Sequence, residues 1–232
     1  MENPKKVLDI GTGTGIWAMD FADAYPDAEV TGIDLSPIQP TWTPPNCKFE
    51  IDDAAKPWTF PDNSFDYVHI RYMIGCFPDW PAVYREAYRV LKPGGWLEHM
   101  DCGDTVFCDD GTFPAVDSPY TEWAAVFDAA GKKIGQSFQL LNDDQYIKWM
   151  EEAGWKGIQK KDIKTPVGGW PADSRLKEIG LCNQLQFLGA LDGLATYILV
   201  NALGWEPAVA NALLDRMRAA LRNRSYHGYC RW

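Results

Sequence analysis

The sequence feature that most constrains the fold is a glycine-rich stretch close to the start of the chain. Residues 6–10 are largely apolar, apart from Lys6 and Asp9, and lead into Gly11, Gly13 and Gly15. Such a run, closed by spaced glycines, is typical of a buried strand entering a tight turn before a helix. Glycine suits this turn because it adopts positive φ angles and lets a ligand approach the bare backbone. The stretch therefore predicts the first strand–turn–helix unit of a doubly wound, mostly parallel α/β sheet.

Two details of this turn distinguish between nucleotide ligands. The dinucleotide-binding pattern needs a third glycine, and Ile16 occupies that place here. Asp9, at the end of the predicted strand, puts a carboxylate where it would repel a pyrophosphate and attract an ammonium group. A cationic nucleotide without phosphates fits better. S-adenosylmethionine, with its sulfonium and amino groups, is such a ligand, and a nicotinamide-dependent dehydrogenase is a distant alternative.

Acidic residues also follow the next two predicted strands. Asp34 ends the strand at residues 29–34, about twenty residues beyond the glycines, where an acid accepts hydrogen bonds from ribose hydroxyls. Asp53 and Ala54 follow a strand at residues 47–51, where a carboxylate and a backbone amide suit an adenine ring. These positions support a nucleoside ligand without choosing between cofactors.

The rest of the first half continues the alternation of strands and helices. Residues 64–70 predict a fourth strand, and residues 79–91 predict a helix with Asp79 as its N-cap. A proline–glycine turn then leads to a fifth strand at residues 96–102. We expect one domain over residues 1–232, with 1–102 as the cofactor-binding half.

The second half, residues 103–232, is predicted to be the substrate side, with helical insertions over the carboxyl edge of the sheet. Its predicted elements are helices at 120–133, 142–153 (capped by Asn142), 180–205 and 206–223, and a sixth strand at 155–164. The leucine-rich helix is interrupted by polar residues, so we expect it to be amphipathic and not to span a membrane.

The composition limits the classes of molecule that the chain is expected to bind. The formal net charge of −10 argues against a nucleic-acid substrate and gives no reason to expect an anionic membrane. The six cysteines have no metal-ligand spacing, so we predict no metal site and reduced thiols inside a cell. The predicted location is the cytoplasm, with the nucleus as the alternative.

The order of these motifs resembles that of class I S-adenosylmethionine-dependent methyltransferases. The motifs are VLDIGTGTG, GIDLS, IDDA, PDNSFDYVHIR and VLKPGGWLE. More narrowly, DLSPIQPTWTPPN, FEIDDA, DWPAVYREAYRVLKPGGWLEHMD and RLKEIG look like the fungal LaeA-like (TAM-domain) methyltransferases, and the similarity covers nearly the whole chain. The resemblance implies S-adenosylmethionine as cofactor and methyl transfer to a small-molecule acceptor, most naturally a secondary metabolite.

The resemblance also implies which residues bind the cofactor. Those implied to hold its methionine half are Asp9, Gly11, Thr12, Gly13 and Gly15. Those implied to hold the nucleoside are Asp34 and Leu35 at the ribose and Asp53 and Ala54 at the adenine. Arg71, just past the fourth strand, would border the methionine moiety through its backbone.

No catalytic residue follows from the sequence, because methyl transfer needs a base only if the acceptor must lose a proton early. The candidates near the strand ends are Tyr72, His99 and Asp101, and alternation along the strand puts the last two on one face. The resemblance makes Tyr120 and Trp123 candidates for a substrate lid, with core packing as the simpler alternative. We assign no role to His69 or His227.

Both ends of the chain depart from the family pattern. The family usually has a helical segment before the first strand and an antiparallel seventh strand at the end, whereas five residues precede the first predicted strand and the chain stops at residues 226–232. We expect a shortened form or a protein partner that supplies the missing parts. The alternative function is therefore a non-catalytic or weakly catalytic regulator of secondary metabolism that acts through a protein partner.

Overall fold

The computed structural model describes residues 3–113, 116–138 and 144–232 and divides the chain into two compact units. The first unit comprises Met1–Asp101 and Asp144–Ile158, and the second comprises Cys102–Asp143 and Gln159–Trp232. The first unit is thus discontinuous in sequence, since a segment beyond residue 143 belongs to it. A single domain with a cofactor half ending at residue 102 stays a prediction.

The first unit contains a five-stranded parallel sheet with the strand order β3-β2-β1-β4-β5. Its strands are β1 (Lys6–Ile10), β2 (Glu29–Asp34), β3 (Cys47–Ile51), β4 (Phe65–Arg71) and β5 (Leu91–Met100). The α-helices within the described residues are α1 (Ile16–Ala24), α2 (Trp80–Val90), α3 (Pro119–Ile134), α4 (Gln145–Glu152), α5 (Ser174–Thr196) and α6 (Pro207–Arg222). Helices α1, α2 and α4 belong to the first unit. The predicted α/β class and doubly wound parallel sheet are confirmed.

The central strand β1 explains why this sheet forms. Val7, Leu8 and Ile10 are fully buried, as expected of a parallel strand that is covered on both faces. Strand β1 pairs with β2 on one side and with β4 on the other, so the strand order reverses next to it. In open α/β sheets ligands bind at the carboxyl ends of the strands beside such a reversal.

Helix α2 shows how the sequence sets the bounds of an element. The Asp79 side chain accepts a hydrogen bond from the Ala82 N–H at 2.9 Å, so the predicted N-cap is confirmed. On the inner face of the helix Trp80 and Tyr84 are fully buried. The helix ends where Leu91 adopts an extended conformation and begins β5.

The second unit is mainly helical and has its own apolar core. Helices α3, α5 and α6 surround this core, and a π-helical segment, Tyr197–Ala202, continues directly from α5. Among the buried core residues are Trp123, Phe127, Leu191, Leu213 and Met217. Strands β6 (Lys164–Pro166) and β7 (Tyr229–Arg231) pair antiparallel in this unit.

The predicted sixth strand at residues 155–164 is wrong. Gly154 and Gly157 have φ angles of +99° and +69°, which interrupt the extended run. The strand begins at Lys164 and pairs with β7. The C-terminal residues 226–232, in which we expected no strand, therefore contain β7. Backbone hydrogen bonds of 2.8 and 2.9 Å between Ile163 and Trp232 extend this pairing.

The other predicted helices of the second half are present with adjusted bounds. Helix α4 begins at Gln145, and the proposed cap Asn142 lies outside the described residues. Helix α5 begins earlier than predicted, at Ser174, where the Asp173 side chain caps it. The leucines of α5 recur at three- and four-residue steps, but not all of them lie on its buried face. Leu185, for example, is 68% exposed. The stretch Ser174–Ala202 is long and apolar enough to cross a membrane. Helices in the core of a soluble protein can have the same length and composition.

We predict that Asp79→Ala destabilises the first unit by about 1 kcal/mol, because the Ala82 N–H loses its acceptor at the helix terminus. Asp79→Ser is the matched control, since serine keeps a capping oxygen without the charge. Urea unfolding followed by circular dichroism measures both. Equal losses for the two variants would show that the charge, and not the cap, stabilises α2.

Candidate functional site

The candidate site lies in the first unit, where the carboxyl ends of β1, β2, β3 and β4 meet at one edge of the sheet. The glycine turn follows β1 and opens α1. Gly11, Gly13 and Gly15 all have positive φ, at +68°, +57° and +78°. L-residues with side chains rarely adopt this conformation, so the backbone itself requires the three glycines.

The three glycines differ in what surrounds them. A Cβ added to Gly11 would lie 2.1 Å from Met73 Sδ, and one added to Gly15 would lie 2.3 Å from Phe49 Cζ. A Cβ on Gly13 would meet nothing within 4 Å. The two ends of the turn are therefore packed against the protein, while its middle residue faces open space. The open middle is where a ligand can reach the backbone.

Asp34, at the end of β2, holds the middle of the turn. Its Oδ2 accepts a hydrogen bond from the Gly13 N–H at 2.8 Å, and its Oδ1 accepts one from the Ser36 N–H at 2.9 Å. The Thr12 N–H donates to the Ile33 carbonyl at 2.9 Å. The structure thus brings together two of the predicted cofactor elements, the glycine turn and the acid that follows the second strand.

Asp9 lies deeper than its predicted role suggested, because it is buried between the strands. Its Oδ2 accepts from the Thr12 hydroxyl at 2.6 Å, and its Oδ1 lies 2.7 Å from His69 Nδ1. The His69 ring is also buried and stacks on Trp17, with 3.6 Å between ring centroids. Both carboxylate oxygens therefore have partners inside the protein. Contact of Asp9 with a ligand ammonium group stays a prediction.

The partnership of Asp9 with His69 was not predicted from the sequence. These residues are opposite one another in the pairing of β1 and β4. Each is a polar residue inside an otherwise largely apolar strand, at a similar distance from the strand's carboxyl end. Because buried polar groups need partners, two such residues in neighbouring strands are a signal that could have indicated the pair.

The adenine-side candidates form a turn after β3. Asp53 Oδ1 accepts from the Ala55 N–H at 3.0 Å, and this hydrogen bond, with the Lys56 ammonium group, holds the pKa of the Asp53 carboxyl below its usual range. The Ala54 carbonyl accepts from the Trp58 indole at 3.0 Å. The Asp52 N–H donates to the Asp34 carbonyl at 3.1 Å, which fixes this turn beside the end of β2.

Exposed apolar side chains accompany these polar groups. Leu35 follows β2 and Ile51 ends β3, and each is 67% exposed. Ile16, at the first position of α1, is 64% exposed. Arg71, at the end of β4, is also exposed. A nucleoside bound at this edge would cover apolar surface that is otherwise costly to leave in water.

Tyr72 has an unusual backbone conformation. Its φ is +59°, and among the described non-glycine residues with positive φ it is the one that is neither Asn nor Asp. Its N–H donates to the Met100 carbonyl at 3.1 Å, and the next N–H, of Met73, donates to Asp101 Oδ2 at 2.9 Å. Strained residues of this kind cluster at functional sites. Tyr72 is 39% exposed and stays a candidate for the substrate pocket.

His99 lies near the end of β5 and Asp101 directly follows the strand, and both side chains are buried and lie on the same side of the chain. His99 Nε2 lies 3.3 Å from Asp101 Oδ2, and His99 Nδ1 lies 2.9 Å from the Tyr84 hydroxyl. The Trp80 ring stacks on the imidazole at 4.7 Å, and its buried Nε1 has no hydrogen-bond partner within the described part of the chain. Burial raises the pKa of Tyr84. This arrangement supports the loop at Met73, and contact with substrate stays a prediction.

The remaining candidates lie in the second unit. Tyr120 and Trp123 are both buried in the core of that unit, which agrees with the simpler alternative of core packing. His227 lies beside the Asp110 carboxylate, and this contact holds the pKa of Asp110 well below its usual range. Within residues 3–113, 116–138 and 144–232, no three His, Cys, Asp or Glu side chains are grouped to hold a metal ion.

The chemistry of the edge follows from its groups. The carboxylates of Asp34 and Asp53 accept hydrogen bonds from hydroxyl and amino groups, as a ribose and an adenine require. The same negative charges oppose a bound pyrophosphate. Together with the open glycine backbone and the exposed Leu35 and Ile51, these groups suit a nucleoside with a cationic, phosphate-free substituent.

Comparison with known proteins agrees with this chemistry. Residues 1–160 match the family model described as a methyltransferase domain. The methyltransferase pytC of Aspergillus terreus is 40% identical over 221 residues, which cover 94% of this chain and 67% of pytC. The secondary metabolism regulator LAE1 of Cochliobolus heterostrophus is 35% identical over 227 residues, which cover 97% of this chain and 73% of LAE1.

A solved structure shares the fold. The phosphoethanolamine N-methyltransferase 2 of Haemonchus contortus, in complex with phosphomonomethylethanolamine and S-adenosylhomocysteine, aligns with a TM-score of 0.56 at 19% identity. The alignment covers 100% of this chain and 48% of that one. Identity at this level shows the fold and leaves the acceptor open.

We predict that Gly15→Ala destabilises the protein more than Gly13→Ala. Both substitutions place a side chain at positive φ, at a cost of roughly 1–2 kcal/mol. Gly15→Ala also forces its Cβ against the Phe49 ring, whereas Gly13→Ala meets open space. Guanidinium unfolding of the two variants measures the difference. Equal losses would show that the Phe49 ring moves aside freely.

Proposed function

Because this chain belongs to the methyltransferase-domain family and is an S-adenosylmethionine-dependent methyltransferase, we propose that it methylates a small secondary metabolite. The observation that carries the methyl-transfer part of the proposal is the open backbone of Gly13, which has positive φ and whose N–H is held by the Asp34 carboxylate. This pair provides a bare peptide and an acid side by side at the carboxyl edge of the sheet. A nucleoside cofactor needs both.

We propose that the cofactor occupies this edge through the residues implied by the family. Gly11 to Gly15, with Asp9 behind them, would line the methionine half, and the Arg71 backbone would border it. Asp34 and Leu35 would hold the ribose, and Asp53 and Ala54 the adenine. When bound, S-adenosylmethionine supplies an activated methyl group on a sulfonium.

The contribution of the chain is then positioning and exclusion of water. Transfer of a methyl group to a nucleophile is accelerated mainly by holding the two reactants in line. Tyr72, held just beyond β4 by the hydrogen bond from its N–H to the Met100 carbonyl, is the residue that we propose faces the acceptor. The exposed Leu35 and Ile51 would become covered by the nucleoside, which lowers the local dielectric.

The charge of the chain supports a small acceptor. A formal net charge of −10 disfavours nucleic acid and leaves neutral or cationic molecules as acceptors. The 40% identity to pytC, which is named as a methyltransferase, supports methyl transfer as the activity. The acceptor and the atom that is methylated are the parts that acceptor screening has to identify.

A second function has an observation in its favour. The chain is 35% identical to LAE1, whose name describes a regulator. We therefore keep a regulatory role through a protein partner as the alternative. Binding of S-adenosylmethionine without turnover on any acceptor, together with a stable partner in affinity purification, would favour that alternative over metabolite methylation.

We predict that the purified chain binds S-adenosylhomocysteine, the demethylated product, at one site per chain in calorimetric titration. Asp34→Asn should weaken binding at least ten-fold, because hydrogen bonds to a charged group contribute roughly 1.5–3 kcal/mol. Gly13→Val should abolish binding, because its side chain would fill the open space at φ +57° and strain the turn.

Asp20→Asn is the control for these variants. Asp20 lies on α1 and is exposed, and the substitution makes the same charge change away from the proposed site. It should bind like the parent chain. If Asp34→Asn and Gly13→Val are folded and bind with parental affinity, the assignment of the edge to the cofactor is wrong.

A further inference from the structure

Both backbone polar groups of Gly13, the middle residue of the glycine turn, are held by side chains. The Gly13 N–H donates to Asp34 Oδ2 at 2.8 Å. The Gly13 carbonyl accepts from Gln39 Nε2 at 2.6 Å. Gln39 belongs to the proline-rich segment after β2, 26 residues further along the chain. This segment carries the motif DLSPIQPTWTPPN, and the resemblance implied no role for Gln39.

Gln39 also closes a ring of hydrogen bonds. Its Nε2 donates a second hydrogen bond to the Ser36 carbonyl at 2.9 Å. The Ser36 N–H in turn donates to Asp34 Oδ1 at 2.9 Å. Both acceptors of Gln39 are carbonyl oxygens, so its amino group, and not its amide oxygen, faces them. The ring therefore needs a side chain with two N–H donors at this position.

The packing around the turn gives this ring its importance. Met73 and Phe49 fill the space beside Gly11 and Gly15, so the two ends of the turn are fixed by van der Waals contact. Nothing lies within 4 Å of a Cβ built on Gly13. The two peptide groups that flank the Gly13 Cα are therefore oriented by hydrogen bonds, the preceding one to Asp34 and the following one to Gln39. Because Gln39 binds the Gly13 carbonyl, it limits the rotation of the Gly13–Thr14 peptide before a ligand arrives.

We infer that Gln39 is a positioning residue that preorganises the glycine turn for the cofactor, an inference that rests on the proposed function of this turn. Gln39 acts through the Gly13 peptide and through Asp34. Preorganisation raises affinity because binding then does not have to order the turn. The residue therefore sets how tightly the cofactor binds.

The test uses two substitutions at this position. Gln39→Met removes the donors without adding charge, and should weaken binding of S-adenosylhomocysteine by about three- to ten-fold, the loss expected for one or two neutral hydrogen bonds. Gln39→Glu places a carboxylate against the Gly13 and Ser36 carbonyls, and should weaken binding by ten-fold or more at about pH 8.

The pH profile separates positioning from a general structural role. A glutamate carboxyl titrates near pH 4.3 in water, and the Gly13 and Ser36 carbonyl oxygens that face position 39 favour the protonated form of the introduced group and so raise its pKa. Once protonated, the carboxyl can donate to the Gly13 carbonyl. The affinity of Gln39→Glu, divided by that of the parent chain at the same pH, should therefore recover as the pH falls from about 8 to about 5.5. The ratio for Gln39→Met should stay flat.

Gln186→Glu is the matched control, because it adds the same charge at an exposed position of α5 and should bind like the parent chain at every pH. A Gln39→Glu ratio that does not change with pH, or parental affinity in Gln39→Met, would overturn the inference.

A second measurement does not depend on ligand. The Gly13 amide should exchange its hydrogen faster in Gln39→Met than in the parent chain, as measured by NMR. If the parent chain does not bind S-adenosylhomocysteine, the proposed function fails, and faster exchange still supports the positioning role. Unchanged exchange overturns it.

Discussion

The hydrogen bond between the Gly13 N–H and the Asp34 carboxylate is the interaction on which the site depends. It joins the turn after β1 to the end of β2, two strands that are already aligned residue by residue. Asp34 could not reach this amide if the turn contained side chains that rejected positive φ. The glycines and the acid are thus parts of one structural requirement, although about twenty residues separate them in sequence.

A second polar pair, which is buried between β1 and β4, also stabilises this arrangement. Asp9 and His69 lie side by side in the buried centre of the sheet, and Asp9 also accepts from the Thr12 hydroxyl. Breaking such a pair would leave a buried group unsatisfied, which costs more than the pair contributes when intact. We therefore see the pair as a constraint on the register of β1 and β4 and on the start of the turn.

Much of the first unit could be predicted from the sequence, because its signals are local. The apolar runs, the glycines and the Asp79 cap each depend on neighbouring residues, and the parallel sheet follows from the alternation of strands and helices. Contacts between distant residues could not be predicted in the same way. The contact of Gln39 with Gly13 and the partnership of Asp9 with His69 depend on the folded backbone. The pairing of Lys164–Pro166 with Tyr229–Arg231 was not predicted, because it too joins residues that are distant in sequence.

The discontinuity of the first unit has a consequence for how the protein folds as it is synthesised. Trp155 donates its indole N–H to the Tyr84 carbonyl at 3.2 Å, and its ring packs edge-on against the Tyr88 ring. The segment at residues 144–158 therefore completes the packing around α2. A nascent chain that has exposed only its first hundred residues lacks these contacts. The parallel sheet can therefore reach its final stability only after the ribosome has also released residues 102–143, which belong to the other unit.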